Sequence, residues 1–219
     1  MTGEQAEVLR ERSRRLKEPK AIAHLLGDRG FMLAGGALTK DDAPKDFDIY
    51  GVGRAIDVTN LKWQLVDVLA KSSNAITTVV NGQVVQFCSY YKATPQETIE
   101  AFDFAHCQAG AVFDGKGELQ EVVSTDDFWR SEEGGTSWYT GSEYPLSSLM
   151  RCMKFHKRGL FADNIQKVSA LRILCDIVKR GFEDEEDFRD QCASISESFC
   201  QLNGDDAVEL FELLGKKGK

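Results

Sequence analysis

With 219 residues and 42% apolar content, the chain can bury a sizeable core, as one compact domain or as a domain with a helical appendage. No apolar run approaches the roughly 20 residues that span a bilayer. Met1–Lys20 is too polar and charged for a signal peptide, so the expectation is a soluble, cytoplasmic protein with no membrane partner. A net charge of −8 argues against broad, sequence-independent nucleic-acid binding, which needs a basic surface to displace counterions.

In chain order, Ala6–Leu16 and Ala21–Leu26 read as helix, broken near Pro19 and closed by Gly27. Phe31–Ala34 is a short apolar strand running into Gly35-Gly36. A loop with Asp41, Asp42 and Pro44 follows, and Phe47–Val52 reads as a second strand. Asp57 or Thr59 can cap a helix reaching about Lys71, with Leu61, Leu65, Val68 and Leu69 as its buried stripe. Ile76–Val80 and Val84–Cys88 flank Asn81-Gly82, a strong hairpin signal. Thr98–Cys107 is read as a further strand, and Ala111–Phe113 with Glu118–Val122 as a hairpin around Asp114-Gly115. Residues 131–145, rich in Gly, Ser and Thr, read as loop. Helices follow at Leu146–Arg158, Ile165–Val178, Asp184–Cys200 and Ala207–Leu214, before a frayed tail at Gly215–Lys219. The pattern is an α/β (α+β) half, residues 1–145, followed by a C-terminal helical region, residues 146–219.

The cysteines, Cys88, Cys107, Cys152, Cys175, Cys192 and Cys200, form no C-x-x-C pair and sit mostly in apolar-periodic segments. Reduced, buried thiols are expected rather than disulfides or a zinc site. Gly51-Val52-Gly53 follows a strand and hints at a dinucleotide fingerprint, but Ile56 stands at the third glycine position and the pattern fails.

The segment with chemistry is Leu33-Ala34-Gly35-Gly36, then Asp46-Phe47-Asp48-Ile49. Aspartates two apart on a strand share one face, while Phe47 and Ile49 point into a core. Two same-face carboxylates repel unless a cation sits between them, so the pair is either a metal site or a solvated turn with Lys45 as counter-charge. Mg²⁺ suits such a pair, because substrate phosphates complete its octahedron. Glycines upstream let backbone N–H groups approach a phosphate closely.

An apolar strand ending in Gly-Gly, a short gap and then Asp-apolar-Asp resembles the signature of DNA polymerase β-type nucleotidyltransferases. That superfamily's pattern carries a third carboxylate on a later strand, matched here by Ala101-Phe102-Asp103-Phe104. The resemblance covers about residues 20–160 and implies a nucleotidyltransferase-like mixed, twisted sheet with flanking helices. By the same resemblance Asp46, Asp48 and Asp103 hold Mg²⁺ (or Mn²⁺), with Asp103 orienting the attacking hydroxyl, and Gly35 and Gly36 cradle the NTP phosphates. Ala37 departs from the polar residue that many members have there.

Residues 146–160 hold Arg151, Lys154, Lys157 and Arg158 and no acid, a patch that suits a small anion better than a long polyanion. Arg151, Lys154 and Arg158 share one helix face, with Leu146, Leu149, Met150 and Met153 roughly opposite. Superfamily members often direct such a helix at the triphosphate, which implies Arg151 and Lys154 as phosphate ligands and Tyr144 as a base-stacking residue. The block is also similar to phage-encoded nucleotidyltransferase-like proteins, which would place the chain in host cytoplasm. The implied reaction moves a nucleoside monophosphate from an NTP to an acceptor hydroxyl on a small molecule, a tRNA end or a protein. A non-catalytic nucleotide-binding module and a phage structural or interaction protein on the same fold stand as alternatives, and homo-oligomerisation is left open. His106, on the other strand face from Asp103, is expected to be structural.

Overall fold

The computed structural model describes residues 1–40, 44–61, 64–71 and 74–182. The helices expected at Asp184–Cys200 and Ala207–Leu214, the acidic part of the 37–46 loop (Asp41 and Asp42), and Cys192 and Cys200 lie outside them. Two compact units divide between Thr136 and Ser137.

The first unit is built on one seven-stranded sheet with flanking helices, a mixed α+β fold. Its strands are β1 (Phe31–Ala34), β2 (Phe47–Gly51), β3 (Val68–Lys71), β4 (Ala75–Val80), β5 (Gln83–Cys88), β6 (Ala109–Phe113) and β7 (Leu119–Ser124), in spatial order β3-β4-β5-β2-β1-β6-β7. Only β2 and β5 run parallel; every other neighbouring pair is antiparallel. The β4–β5 hairpin turns on Asn81 and Gly82, at φ 47° and 81°. Both signs are positive, as a two-residue turn matched to strand twist requires. The β6–β7 turn is closed by Asp114, whose carboxylate accepts the N–H groups of Lys116 (2.8 Å) and Glu118 (2.9 Å). The Glu118 and then the Lys116 hydrogen bond hold its carboxyl below the usual range.

Alternation decides which face each strand residue serves. Phe31, Leu33, Phe47, Ile49, Ile76, Val85 and Phe87 point into the main core. There they meet Leu9 of α1 (Gly3–Ser13), Ile22 of α2 (Pro19–Leu25) and Phe128 of α5 (Asp126–Gly134). Burying each such side chain is worth roughly 1.5–3 kcal/mol. The opposite face holds a smaller cluster of Met32, Ala34, Val112 and Ile99, with Tyr50 and Phe102 packed on it at 5.2 Å between ring centroids.

Four expectations need correction. The expected helix does not reach Lys71: α3 is described over Val58–Leu61, capped by Asp57 through the N–H groups of Thr59 (3.1 Å) and Asn60 (3.2 Å). Val68–Lys71 instead pairs with β4 as an exposed edge strand, so of the expected stripe Leu61 and Leu65 reach the core while Val68 and Leu69 do not. Thr98–Cys107 is not a strand. Thr94 and Glu97 form a reciprocal capping box ahead of Pro95, which starts α4 (Pro95–Glu100), and Ala105–Cys107 is a 3-10 turn. Residues 131–134 belong to α5, whose N-cap Thr125 accepts the Phe128 N–H at 3.1 Å, with Asp126 and Asp127 in its first turn.

The second unit contributes α6 (Pro145–Lys157) and α7 (Asp163–Arg180), which pack on each other. The fourth correction lies on α6. Its buried residues are Pro145, Ser148, Cys152 and Phe155, whereas Leu146, Leu149 and Met150 are half-buried and Met153 is 49% exposed. Small residues at 148 and 152 put the close-approach face there rather than under the bulky ones. Cys88, Cys107 and Cys152 are buried as expected, but Cys175 on α7 is exposed. Among the described residues no helix is long and apolar enough to cross a membrane.

Candidate nucleotide and metal site

β1 and β2 are in register with Ala34 opposite Asp48. Directly after Ala34 the chain leaves the sheet in a 3-10 turn, Gly35–Leu38. Gly35 sits at φ 75°, a left-handed conformation that a side chain resists, and a Cβ placed on it would lie 3.6 Å from Asp48 Oδ2. The turn therefore presents backbone directly beside a carboxylate. Gly36 is exposed, and a Cβ there would meet nothing within 4 Å. Backbone at Gly36 is thus open to solvent close to an acid.

Asp48 points away from the main core, with Phe47 and Ile49 on the other side, and is half-buried. Asp46 lies one residue before β2 and is exposed. Asp103 is placed differently from the expectation. It is buried at 4% exposure, in the bend between α4 and the Ala105–Cys107 turn rather than on a strand. That turn contacts the Gly35–Leu38 turn, which in turn contacts β2, so the three segments adjoin. His106 is buried, with Nε2 3.4 Å from Cys107 Sγ, in keeping with a structural role.

The bend carrying Asp103 is held by Gln108. Its amide donates to the carbonyls of Phe102 (3.0 Å) and Glu100 (3.4 Å) and accepts the Thr125 hydroxyl at 2.8 Å. Gln108→Leu strips these partners from buried groups, so unfolding in urea should show a loss of about 1–3 kcal/mol. A change within about 0.5 kcal/mol would mean the bend does not depend on this amide.

The parallel β2–β5 pairing places Gln86 level with Asp48, and Thr77 follows across β4. Gln86 Nε2 donates to Thr77 Oγ1 at 3.0 Å, so a polar row runs from Asp48 toward the sheet edge on its half-exposed face. Cross-strand register alone reveals it, and nothing in the linear sequence marks Gln86.

The donor set suits a hard divalent cation. Mg²⁺ needs only one or two protein carboxylates when water and phosphate oxygens complete its shell, and Asp46 with Asp48 can supply them. Among the described residues no three His, Cys, Asp or Glu side chains gather into a ligating group, so Asp103 does not close a preformed cage with the other two. Of the remaining expected residues, Arg151, Lys154 and Tyr144 lie on the second unit, where Lys154 and Tyr144 are exposed and Arg151 stacks over the Phe155 ring at 5.8 Å.

Residues 5–133, more than half of the chain and nearly all of the first unit, match the profile of the Gabija anti-defense 2 family protein. The chain belongs to this family. Comparison with curated proteins gives no match. Among solved structures, the chain is similar to a Thermotoga maritima CCA-adding enzyme complexed with tRNA, at 16% identity and a TM-score of 0.51 over 92% of this chain and 54% of that one. A CCA-adding enzyme in complex with CTP aligns at 16% identity and TM-score 0.51, over 87% of this chain and 50% of that one. A tRNA nucleotidyltransferase complexed with a primer tRNA and an incoming ATP analog aligns at 15% and 0.50, over 90% of this chain and 60% of that one. This member of the anti-defense family thus shares the nucleotidyltransferase fold and spans little more than half the length of these enzymes.

Proposed function

We propose that this protein is a metal-dependent nucleotidyltransferase of the DNA polymerase β type that serves an anti-defence role. The observation that carries the reading is the Asp48 carboxylate set against the left-handed Gly35 backbone, with open Gly36 beside it. Such an arrangement suits a phosphate chain and its counter-cation, and the anti-defence role follows from the family.

Asp46 and Asp48 would hold Mg²⁺ or Mn²⁺, which when bound supplies positive charge to the phosphates of an NTP. The N–H groups of Gly35 and Gly36 bind the β- and γ-phosphates and fix the α-phosphorus for in-line attack. The acceptor hydroxyl forms the new P–O bond, pyrophosphate leaves, and Asp103 orients the hydroxyl and takes its proton. Similar solved proteins are complexed with CTP or tRNA, so an NTP is the donor proposed here, with a nucleic-acid end, a protein or a small molecule as acceptor. The proposed setting is host cytoplasm.

A second reading, a nucleotide-binding protein without transferase chemistry, is favoured by one observation: no three ligating side chains gather among the described residues. The test is thermal stabilisation by each NTP with and without Mg²⁺, followed by release of pyrophosphate. Mg²⁺-dependent stabilisation with pyrophosphate release supports the transferase, and stabilisation without release supports the second reading. Absence of any nucleotide effect in folded protein overturns both.

Gly36→Val probes the cradle separately. Its Cβ is unopposed, so melting should move by about 0.5 kcal/mol or less. NTP affinity should fall at least tenfold if phosphates approach that backbone, because the added side chain occupies their path. Unchanged affinity would remove Gly36 from the site.

A further inference from the structure

The N-terminal helix carries a charge pattern that the proposed chemistry does not use. From Arg10 to Lys20 the chain holds Arg10, Arg12, Arg14, Arg15, Lys17 and Lys20 against Glu11 and Glu18, in a protein of net charge −8. Three of these cations, with Lys40, line a cleft of about 650 Å³ between α1 and the far end of the Gly35–Leu38 turn, together with Val8 and Glu11. Among the described residues the lining thus holds four cations and one acid, with the charge of Arg12 paired to Glu132.

Two of the cations are fixed in advance. Arg12 Nη1 donates to the Leu38 carbonyl at 2.8 Å and to Glu132 Oε2 at 2.7 Å, with its side chain only 15% exposed. Arg15 Nη1 donates to the carbonyls of Thr39 (2.8 Å) and Ala37 (3.2 Å). The other two are available at the rim. Arg14 and Lys40 are exposed, and Lys40 Nζ donates to the Glu132 carbonyl at 3.0 Å, a neutral acceptor. Guanidinium groups held in place lose little freedom when they meet an oxyanion, and several beside one another match a phosphate's spread of acceptor oxygens.

Its volume falls in the range of pockets that hold small molecules, roughly 300–1,000 Å³. Among the described residues Val8 is the only apolar one in the lining, so recognition rests on charge and hydrogen bonds rather than on stacking a base. The candidate phosphate site uses the Gly35-Gly36 end of the turn and the Asp48 carboxylate; this cleft uses the carbonyl end and, among the described residues, no cation-ligating acid pair.

We propose that this cleft is a second, metal-independent oxyanion site that binds the phosphate groups of a nucleotide-sized ligand. The phosphates can belong to a free polyphosphate or nucleotide, or to the 5′-phosphorylated end of a nucleic acid. The test is calorimetric titration in EDTA with inorganic triphosphate and, separately, with a short 5′-phosphorylated single-stranded oligonucleotide. Wild-type protein should bind at least one probe, more weakly as salt rises. The double variant Arg14→Gln/Lys40→Gln, which changes only exposed side chains, should raise Kd about tenfold or more. Arg14→Lys/Lys40→Arg, which keeps the charges, should retain most of the affinity, and Asp48→Asn should bind as wild type. Tighter triphosphate identifies a free phosphate ligand, and a tighter oligonucleotide identifies a nucleic-acid end. Absence of binding by wild type, equal binding by the neutral double variant, or loss of binding in Asp48→Asn would overturn the proposal.

Discussion

Replacing Asp48 by Asn should leave the fold intact and remove the Mg²⁺-dependent part of nucleotide stabilisation. The side chain is half-buried on the sheet face away from the main core, and Asn matches its shape, so β2 keeps its register with β1 and β5. What changes is charge. Even outer-shell partners of a metal cost 10–100-fold in affinity when removed, so a direct ligand should cost on the order of a hundredfold or more. At a nucleotide concentration about a hundred times Kd, wild-type protein gains about 2.7 kcal/mol from ligand binding. For a chain of this size that is a rise in Tm of about 5–10 °C, which Asp48→Asn should lose. Asp103→Asn separates the two readings of the third carboxylate. Equal loss of Mg²⁺-dependent binding or of pyrophosphate release would place Asp103 in the working site. A drop in stability with binding and turnover unchanged would make it a packing residue of its bend. Undiminished Mg²⁺-dependent stabilisation in Asp48→Asn would sink the site assignment.

Periodicity and turn chemistry read the sheet's centre well. Phe31–Ala34 is a continuous apolar run, Phe47–Gly51 alternates across a buried face, and Asn81-Gly82 dictates its hairpin through two positive φ angles. The adjacency of Gly35 and Asp48 follows from that reading, because a strand ending in glycines paired with an Asp-bearing neighbour leaves few alternatives. The misses came where a local cap outweighed an apolar run. Phe102 and Phe104 flank Asp103 and suggest a strand, yet Thr94-Pro95-Gln96-Glu97 already held a full helix start, and the helix it nucleates ends before them. Thr125-Asp126-Asp127 was the same kind of signal for α5. Helix α6 failed for another reason. Its helical period was legible, but the partner surface decided the phase, and it chose Ser148 and Cys152 over Leu149 and Met153. Gln86 and the basic cleft were beyond linear reading, since one depends on cross-strand register and the other on a contact between residues 12–15 and 37–40.

The second large effect lies in the Gly51-Val52-Gly53 segment, whose glycines serve the backbone rather than a dinucleotide. Gly51 ends β2, pairs with Phe31 and is buried. A Cβ there would stand 1.9 Å from the Arg54 carbonyl oxygen and 3.1 Å from its carbon. The obstacle is backbone, which cannot rotate aside as a side-chain tip can, so Gly51→Ala must open the turn or pull the end of β2 from β1. Overpacking of this kind costs typically about 1–3 kcal/mol and occasionally more; with a main-chain obstacle we expect about 3 kcal/mol, a fall in Tm of roughly 6–12 °C. Gly53 is special for a different reason: it sits at φ 68° with nothing within 4 Å of a Cβ. Gly53→Ala should therefore cost only the left-handed penalty, about 1–2 kcal/mol, and Gly53→Asn less, because asparagine tolerates that region. Melting should rank Gly51→Ala below Gly53→Ala and Gly53→Ala below Gly53→Asn. If Gly51→Ala melted with wild type, the close approach of Arg54 would not be part of the native turn. Because Asp48 sits on the same short strand, Gly51→Ala protein held well below its melting temperature should also bind nucleotide more weakly, whereas Gly53→Asn should not.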